Sequence, residues 1–167
     1  MLKKLLWDWI PQKTQDNLLL RGIGFFKIPL INFVRLKMVT RDENKCVLSM
    51  PLNRKTKNHV NSIYFACMTA GADLTAGFPV IIETIRLKKN IVPIFKDMSA
   101  EFYKRAEGET YFTSYQNKEI NDLIQKAIST GERHNLPVNI IATVPKAFGD
   151  EPIAKFTLNL SLKVKPS

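Results

Sequence analysis

The chain has 167 residues, which is long enough for one compact domain with a single core. Of these residues 45% are hydrophobic and 24% are charged, so the chain is too apolar for long disordered stretches. Its net charge is +10, and residues 1–57 alone contain 12 Lys and Arg against 4 Asp and Glu. This excess indicates an anionic partner: a phosphorylated cofactor, an acidic protein, a membrane surface or nucleic acid. The alternative is a solvated basic surface without a partner, and composition alone leaves both open.

Two helices are predicted at the start of the chain, over residues 1–9 and 13–26, with Pro11 between them. The second is expected to end at one of its glycines, Gly22 or Gly24. The apolar run at the N-terminus is too short, and too soon broken, for a signal peptide.

The whole chain, residues 1–167, is expected to be a single domain with residues 1–26 as a helical extension, since no repeat, linker or low-complexity segment is present. We expect the terminal helix to pack Trp7 and Trp9 on the domain, with contact to a membrane interface as the alternative.

Alternating apolar and polar residues predict a hairpin next. Residues 33–39 and 46–52 alternate, and the polar residues 42–44 between them form the turn.

Residues 59–76 are predicted to form a central buried helix, because this segment is apolar on nearly every face. Asn58 is the expected N-cap, and Gly77 followed by Pro79 is the expected stop. Its many Gly and Ala residues would let a curved sheet approach closely. The segment is too short, and too rich in Gly and Ala, for a membrane span. Residues 80–89 are predicted to form a short second helix, because Pro79 precedes them and their end is basic; their β-branched start leaves a strand as the alternative.

The second half of the chain predicts four more strands and a helix. Strands are expected at 93–105 and 109–116, joined around Gly108. Asn117 is expected to cap a helix that runs to about Thr130 and ends at Gly131. Residues 136–145 and 153–164 predict a last hairpin, whose second strand alternates cleanly. The resulting order is that of an α+β fold with an antiparallel sheet that is solvated on one face.

This order, with Asn53 followed by His59 before the central helix, resembles the hot-dog fold and the PaaI-like acyl-CoA thioesterases. The similarity points to a branch known only as a domain of unknown function, whose members carry N-H-x-x-S-x-x-x-A. It implies a curved antiparallel sheet wrapped around the central helix. It also implies a homodimer, or a dimer of dimers, that binds acyl thioesters between its protomers.

The resemblance assigns catalytic roles to Asn53 and His59. His59 would donate a hydrogen bond to the thioester oxygen or act as a general acid or base. The family's acidic residue falls on Met68, and the carboxylate inside the predicted helix is Asp73, five residues later. Asp73 is either a base with a raised pKa or a structural hydrogen-bond acceptor.

The backbone N–H groups of Asn61 and Ser62 are expected in the first turn of the helix, where they would form an oxyanion hole. Six basic residues are candidates for binding the phosphates of coenzyme A or of an acyl carrier. They are Arg54, Lys55, Lys57, Arg86, Lys88 and Lys89.

The expected function is therefore hydrolysis of acyl-CoA or of an acyl carrier thioester in the cytoplasm, and the alternative is a non-catalytic carrier or sensor of acyl-CoA. Coenzyme A would enter as part of the substrate, and no separate cofactor or metal is expected, because no metal-binding or nucleotide-binding motif is present. Cys46 and Cys67 match no metal-site spacing and are expected to be reduced core residues. Nucleic-acid binding is not expected, since basic and aromatic residues do not interleave.

Overall fold

A computed structural model describes residues 9–165. The predicted first helix, over residues 1–9, lies outside this range except for its last residue. Trp9 is in a turn and is 86% exposed. The expectation that this tryptophan packs on the domain is therefore wrong.

The domain contains five helices and six strands among the described residues. The helices are α1 (Gln12–Phe26), α2 (Pro29–Val34), α3 (Phe65–Leu87), α4 (Asn117–Thr130) and α5 (Pro145–Phe148). The strands are β1 (Lys37–Arg41), β2 (Cys46–Met50), β3 (Ile91–Phe102), β4 (Thr110–Ser114), β5 (His134–Thr143) and β6 (Pro152–Val164).

The six strands form one antiparallel sheet in the order β1-β2-β4-β5-β6-β3. The sheet curves around α3, which contacts every strand from β2 to β6. The buried side of α3 includes Met68, Leu74 and Phe78. A Cβ at Gly71 would lie only 2.5 Å from the Phe112 ring of β4, so the predicted close approach of the sheet to a small residue is confirmed.

The bounds of α3 differ from the prediction at both ends. The helix begins at Phe65 instead of residue 59, and it continues through Pro79 to Leu87 instead of stopping. Pro79 lies within the fully buried stretch 74–80. Burial of these side chains offsets the one backbone hydrogen bond that a proline removes. The predicted separate helix over residues 80–89 is therefore the last part of α3.

By length and composition alone, α3 could cross a membrane, but 56% of its apolar window is buried inside the domain. In this structure α3 is the core helix of a folded domain, as for a soluble protein.

One other expectation about the strands is wrong. Phe33 belongs to α2 and not to a strand, because Pro29 favours a helical first turn and Arg35 ends it in the left-handed conformation with φ of 57°. The strands β3 and β4 follow each other around Gly108 as predicted, but they are not neighbours in the sheet: β3 pairs with β6, and β4 lies between β2 and β5. Alternation identifies a strand, but it does not say which strand lies beside it.

The predictions for the last hairpin, for the end of α4 and for the free cysteines hold, whereas Asn58 and Asn117 do not cap α3 and α4. The hairpin of β5 and β6 is present, with α5 in its connection, and α4 ends at Gly131 as expected. Asn117 is the first residue of α4 and does not cap it; it is buried, and its Nδ2 donates to the Asp42 carbonyl at 2.7 Å. Both cysteines are free: Cys46 is buried, which raises the pKa of its thiol to about 12, and Cys67 is half-buried.

The helix α1 runs past both of its glycines and is fixed to β1 by polar contacts. The Asp16 carboxylate is 3% exposed and accepts two hydrogen bonds from the Arg41 guanidinium, at 3.0 and 3.1 Å. The Asn17 side chain bonds both the N–H and the carbonyl of Met38. These contacts place α1 at the β1 end of the sheet.

We expect Asp16→Asn to lower the free energy of unfolding by about 2 kcal/mol, because the change leaves the largely buried Arg41 guanidinium without a countercharge. Urea unfolding measures the difference. The matched control is Glu151→Gln, which breaks the exposed ion pair with Lys104 and should cost about 0.5 kcal/mol or less. Equal losses in the two variants would contradict the prediction.

Candidate active site

The loop that leads to α3 is held by its own hydrogen bonds. Asn53 Oδ1 accepts from the Lys55 N–H at 2.8 Å, and the Asn53 carbonyl accepts from the N–H groups of Thr56 and Lys57. The buried Thr56 hydroxyl donates to the Pro51 carbonyl at 2.7 Å and accepts from the Asn53 N–H. Within residues 9–165, nothing accepts from Asn53 Nδ2, so this half-buried amide remains able to donate.

A second tight turn follows, centred on Asn58. Its Oδ1 accepts from the N–H groups of Val60 and Ser62, at 3.0 and 3.1 Å, and its carbonyl accepts from the Asn61 N–H at 3.3 Å. Asn61 has φ of 57°, which closes the turn. The premise for an oxyanion hole at Asn61 and Ser62 is therefore wrong, since both donors lie outside the helix and are already bonded.

His59 lies at the exposed tip of this turn, six residues before α3, and not at the start of the helix. Within the described part of the chain, its imidazole makes no hydrogen bond or ion pair. The group is open to solvent and to any molecule that covers the loop.

The free donors of α3 lie at its true N-terminus. The N–H groups of Cys67 and Met68 both bond to the Tyr64 carbonyl, at 2.9 and 3.1 Å. The preceding N–H groups, of Phe65 and Ala66, have no acceptor among the described residues, and both side chains are exposed. These donors are absent from the prediction because the expected start of the helix, at residue 59, is six residues too early. The turn-forming residues Asn58 and Ser62 are the signal in the sequence that indicates a later start.

Asp73 is the one candidate carboxylate of this site, and it is accessible to solvent. Its side chain is exposed, whereas Met68 is buried on the core side of α3. No described residue forms an ion pair or hydrogen bond with the carboxylate. Desolvation by the surrounding protein raises its pKa. The exposure shows that a ligand can reach the group, and the desolvation shows that the rest of its surroundings is poor in solvent.

One chain does not bring these groups together. Asp73 lies eight residues along α3 from Phe65, which is about 12 Å along the helix axis. Groups that act on the same carbonyl carbon must approach it within about 3 Å. If Asp73 and the N–H groups at the start of α3 act on one substrate, the two must therefore come from different chains.

The six predicted phosphate-binding residues form two clusters. Arg54, Lys55 and Lys57 are exposed in the loop before α3, whereas Arg86, Lys88 and Lys89 lie at its far end, roughly 30 Å away. Arg86 is bonded to Glu83 at 2.6 Å, which neutralises part of its charge. The structure therefore supports the first cluster as the one beside the site.

No group of three or more metal-ligating side chains occurs among residues 9–165. A cavity of about 730 Å³ lies between α1 and α2 and is lined by neither Asp73 nor His59. Asp73, His59 and the first residues of α3 are exposed, so the candidate site is an open surface of the single chain.

Comparison with known proteins agrees with this fold. The family described as "Domain of unknown function (DUF4442)" matches residues 17–152. No curated protein matches the sequence.

Three solved structures resemble the domain over almost its whole length. A candidate thioesterase from Shewanella oneidensis is 13% identical, covers 91% of this chain and 99% of its own, and superposes with a TM-score of 0.74. A protein of unknown function from Chlorobaculum tepidum is 12% identical, covers 92% and 97%, and has a TM-score of 0.77. A thioesterase from Haemophilus influenzae is 12% identical, covers 95% of each chain, and has a TM-score of 0.65. At these identities the likeness shows the fold, and the predicted hot-dog architecture is confirmed.

Proposed function

Because the chain belongs to the family Domain of unknown function (DUF4442) and has the hot-dog fold, we propose that it hydrolyses acyl thioesters, with acyl-CoA or an acyl carrier thioester as substrate. The observation that carries this proposal is Asp73, an accessible carboxylate on the apolar core helix that has a raised pKa and no partner among the described residues. A carboxylate in this state is suited to accept a proton from water. The thioesterase structures with the same fold support the reaction class.

In the proposed reaction, the Asp73 carboxylate takes a proton from a water molecule while the water oxygen bonds to the thioester carbon. The N–H groups of Phe65 and Ala66 stabilise the resulting oxyanion, and Asn53 Nδ2 or His59 donates to the same oxygen. The tetrahedral intermediate then expels the thiolate as its C–S bond breaks, and the thiolate takes up the proton that Asp73 received, which restores the carboxylate. The products are a carboxylic acid and a free thiol.

The proposal requires a dimer, because Asp73 and the helix N-terminus of one chain lie too far apart. The edge strand β3 is the proposed contact, since its outer edge has no partner strand among residues 9–165. Ile94, Met98 and Phe102 on this strand are large apolar residues that are exposed. Joining two copies along β3 would cover them and extend the sheet across both subunits.

A panel of acyl-CoA thioesters of several chain lengths tests the function, with binding and thiol release scored separately. We expect slow but measurable thiol release for at least one chain length. Binding without release at any length would favour a carrier or sensor of acyl-CoA. That alternative is supported by Met68, which is apolar and buried at the position where the resemblance places an acid. A cytoplasmic location is part of the proposal and is supported by the two free cysteines.

The proposed dimer predicts that Ile94→Lys combined with Met98→Lys gives a monomer that no longer releases thiol. Both side chains are exposed in the single chain, so lysine is tolerated by the fold, but two buried charges oppose an edge-to-edge contact. Sedimentation equilibrium reports the mass and a thiol assay reports the rate. The control is Tyr115→Lys, at an exposed site outside β3. A wild-type protein that is monomeric and fully active would refute the shared site.

Phosphate recognition by the loop predicts a salt-dependent affinity. Acyl-CoA binding should weaken as salt rises, and Arg54→Ala combined with Lys57→Ala should reduce affinity by roughly tenfold at low salt without lowering the melting temperature. Titration calorimetry at several salt concentrations measures both effects. Lys88→Ala with Lys89→Ala, at the far end of α3, is the matched pair and should change affinity less. Unchanged affinity in the Arg54 and Lys57 variant would assign the charges of the loop to solubility instead.

A further inference from the structure

The turn between α1 and α2 exposes a concentrated apolar surface. Five large apolar side chains are exposed within the nine residues 25–33, here called the α1–α2 tip; they are Phe25, Phe26, Ile28, Leu30 and Phe33. Phe25 and Phe26 are 73% and 78% exposed, and their rings contact edge to face with centroids 4.9 Å apart. Such a patch on a folded domain indicates an interaction surface.

The tip is a fixed structure. A Cβ at Gly24 would lie 2.7 Å from Asn32 Oδ1, so α1 and α2 are packed as closely as their backbones allow. The N–H groups of Lys27 and Ile28 both bond to the Ile23 carbonyl, at 2.8 and 2.9 Å. The aromatic rings are thus presented by a preformed turn.

The charged residues that flank the tip in sequence are all basic. Residues 17–37 contain four Lys and Arg and no Asp or Glu. Arg21, Arg35 and Lys37 line the cavity of about 730 Å³ beside the tip, whose wall also includes Leu20 and Ile31. No ion pair among the described residues involves Arg21, Lys27 or Arg35. Lys55 adds a further positive charge 5.3 Å from the centre of the Phe33 ring.

The proposed dimer leaves this surface uncovered. The helix α1 is attached to β1, and β1 and β3 are the opposite edges of the sheet. A second copy joined along β3 therefore lies at the far end of the sheet from the tip. The surface needs another occupant that is anionic and also accepts aromatic side chains.

We propose that the α1–α2 tip docks the domain on an anionic membrane surface. Phe25 and Phe26 enter the interfacial layer of the bilayer, as aromatic residues do in interfacial helices. Arg21, Lys27 and Arg35 face the lipid phosphates, and each basic residue near such a surface strengthens binding roughly fivefold. Apart from Lys55, which flanks both surfaces, the inference uses none of the residues of the catalytic proposal.

Co-sedimentation of the full chain with lipid vesicles tests it. We expect binding to vesicles that contain about one third phosphatidylglycerol in phosphatidylcholine, and none to vesicles of phosphatidylcholine alone. Raising the salt concentration from about 0.1 M to about 0.5 M should weaken the binding.

Two variants separate the contributions. Phe25→Ala with Phe26→Ala should reduce the partition coefficient at least roughly tenfold, because two exposed rings no longer leave water. The triple variant Arg21→Gln, Lys27→Gln and Arg35→Gln should reduce the partition coefficient roughly a hundredfold.

Each variant has a matched control. Tyr115→Ala removes an exposed ring elsewhere on the domain, and a second triple glutamine variant removes the same number of charges elsewhere. That triple variant replaces the exposed residues Lys118, Lys126 and Lys146, and both controls should bind within about threefold of the wild type.

Three results would overturn the proposal. The first is an absence of binding to the anionic vesicles. The second is a change in oligomeric state in the Phe25 and Phe26 variant, which would make the tip a contact between copies of the chain. The third is complete release from vesicles by inorganic phosphate at constant ionic strength, which would make the cavity a site for a soluble anion.

Discussion

Asp73→Asn is expected to abolish thiol release while leaving acyl-CoA binding nearly unchanged. The amide is close to the carboxylate in shape, but it cannot accept a proton from water, so the loss should be at least roughly a hundredfold in kcat with little change in KM. Single-turnover thiol release and equilibrium binding, measured on the same preparation, separate the two effects. Asp122→Asn, on the exposed face of α4, is the matched change and should leave the rate unaltered.

The raised pKa of Asp73 fixes the direction of two further effects. The base must be ionised, so kcat should fall as pH decreases through the raised pKa of this carboxyl. A carboxyl whose pKa is higher in the folded than in the unfolded chain contributes stability below its unfolded pKa, and this contribution is lost as pH rises through the folded pKa. Asp73→Asn should therefore not destabilise the protein at neutral pH. A variant that unfolds more easily and still releases thiol would show that Asp73 is structural.

Gly71→Ala is expected to lower the free energy of unfolding by about 2–3 kcal/mol. The added methyl group would lie 2.5 Å from the Phe112 ring, which is itself fully buried between α3 and the sheet. Neither the helix backbone nor the ring can move without disturbing the core. Thermal and urea unfolding both measure the loss.

Gly22→Ala gives the opposite expectation for the same chemical change. Gly22 lies inside α1 with no atom within 4 Å of a Cβ built on it, so alanine should stabilise the helix by about 0.5–1 kcal/mol. If both alanine variants were stabilised, the close packing of Gly71 against β4 would be refuted.

The parts of the fold that could be predicted are those that depend on local pattern. The strict alternation of residues 153–164 identified β6, and the amphipathic segment that ends at Gly131 gave the bounds of α4. The start of α3 could not be predicted in the same way. Asn58 is equally suited to cap a helix and to close a turn, and in this chain its side chain bonds to Val60 and Ser62 of a turn.

The same ambiguity explains the outcome for the site. Asp73 was identified because a lone carboxylate stands out in an apolar helix, whatever the position of the helix start. Counting nine residues from His59 led to Met68, but that count crosses a loop as well as a helix, so it does not measure helical rotation. The donors at Phe65 and Ala66 are backbone N–H groups, which every residue except proline has. The identity of the side chains therefore does not indicate which N–H groups are free.

The pairing of β6 determines the order in which the sheet is completed. With β5 it forms a hairpin that begins at the pair Thr143 and Pro152, whereas its pairs with β3 join residues such as Ile91 and Val164. Contacts between residues far apart in sequence close slowly, because the intervening chain loses more entropy. The pairs of β3 with β6 span 52–73 residues and those of β2 with β4 span 60–68 residues, so both ladders are expected to form after the hairpin of β5 and β6. In a single subunit β3 is an edge strand and is held by β6 alone. In the proposed dimer, association and completion of the sheet are one equilibrium, and dilution alone would loosen this edge.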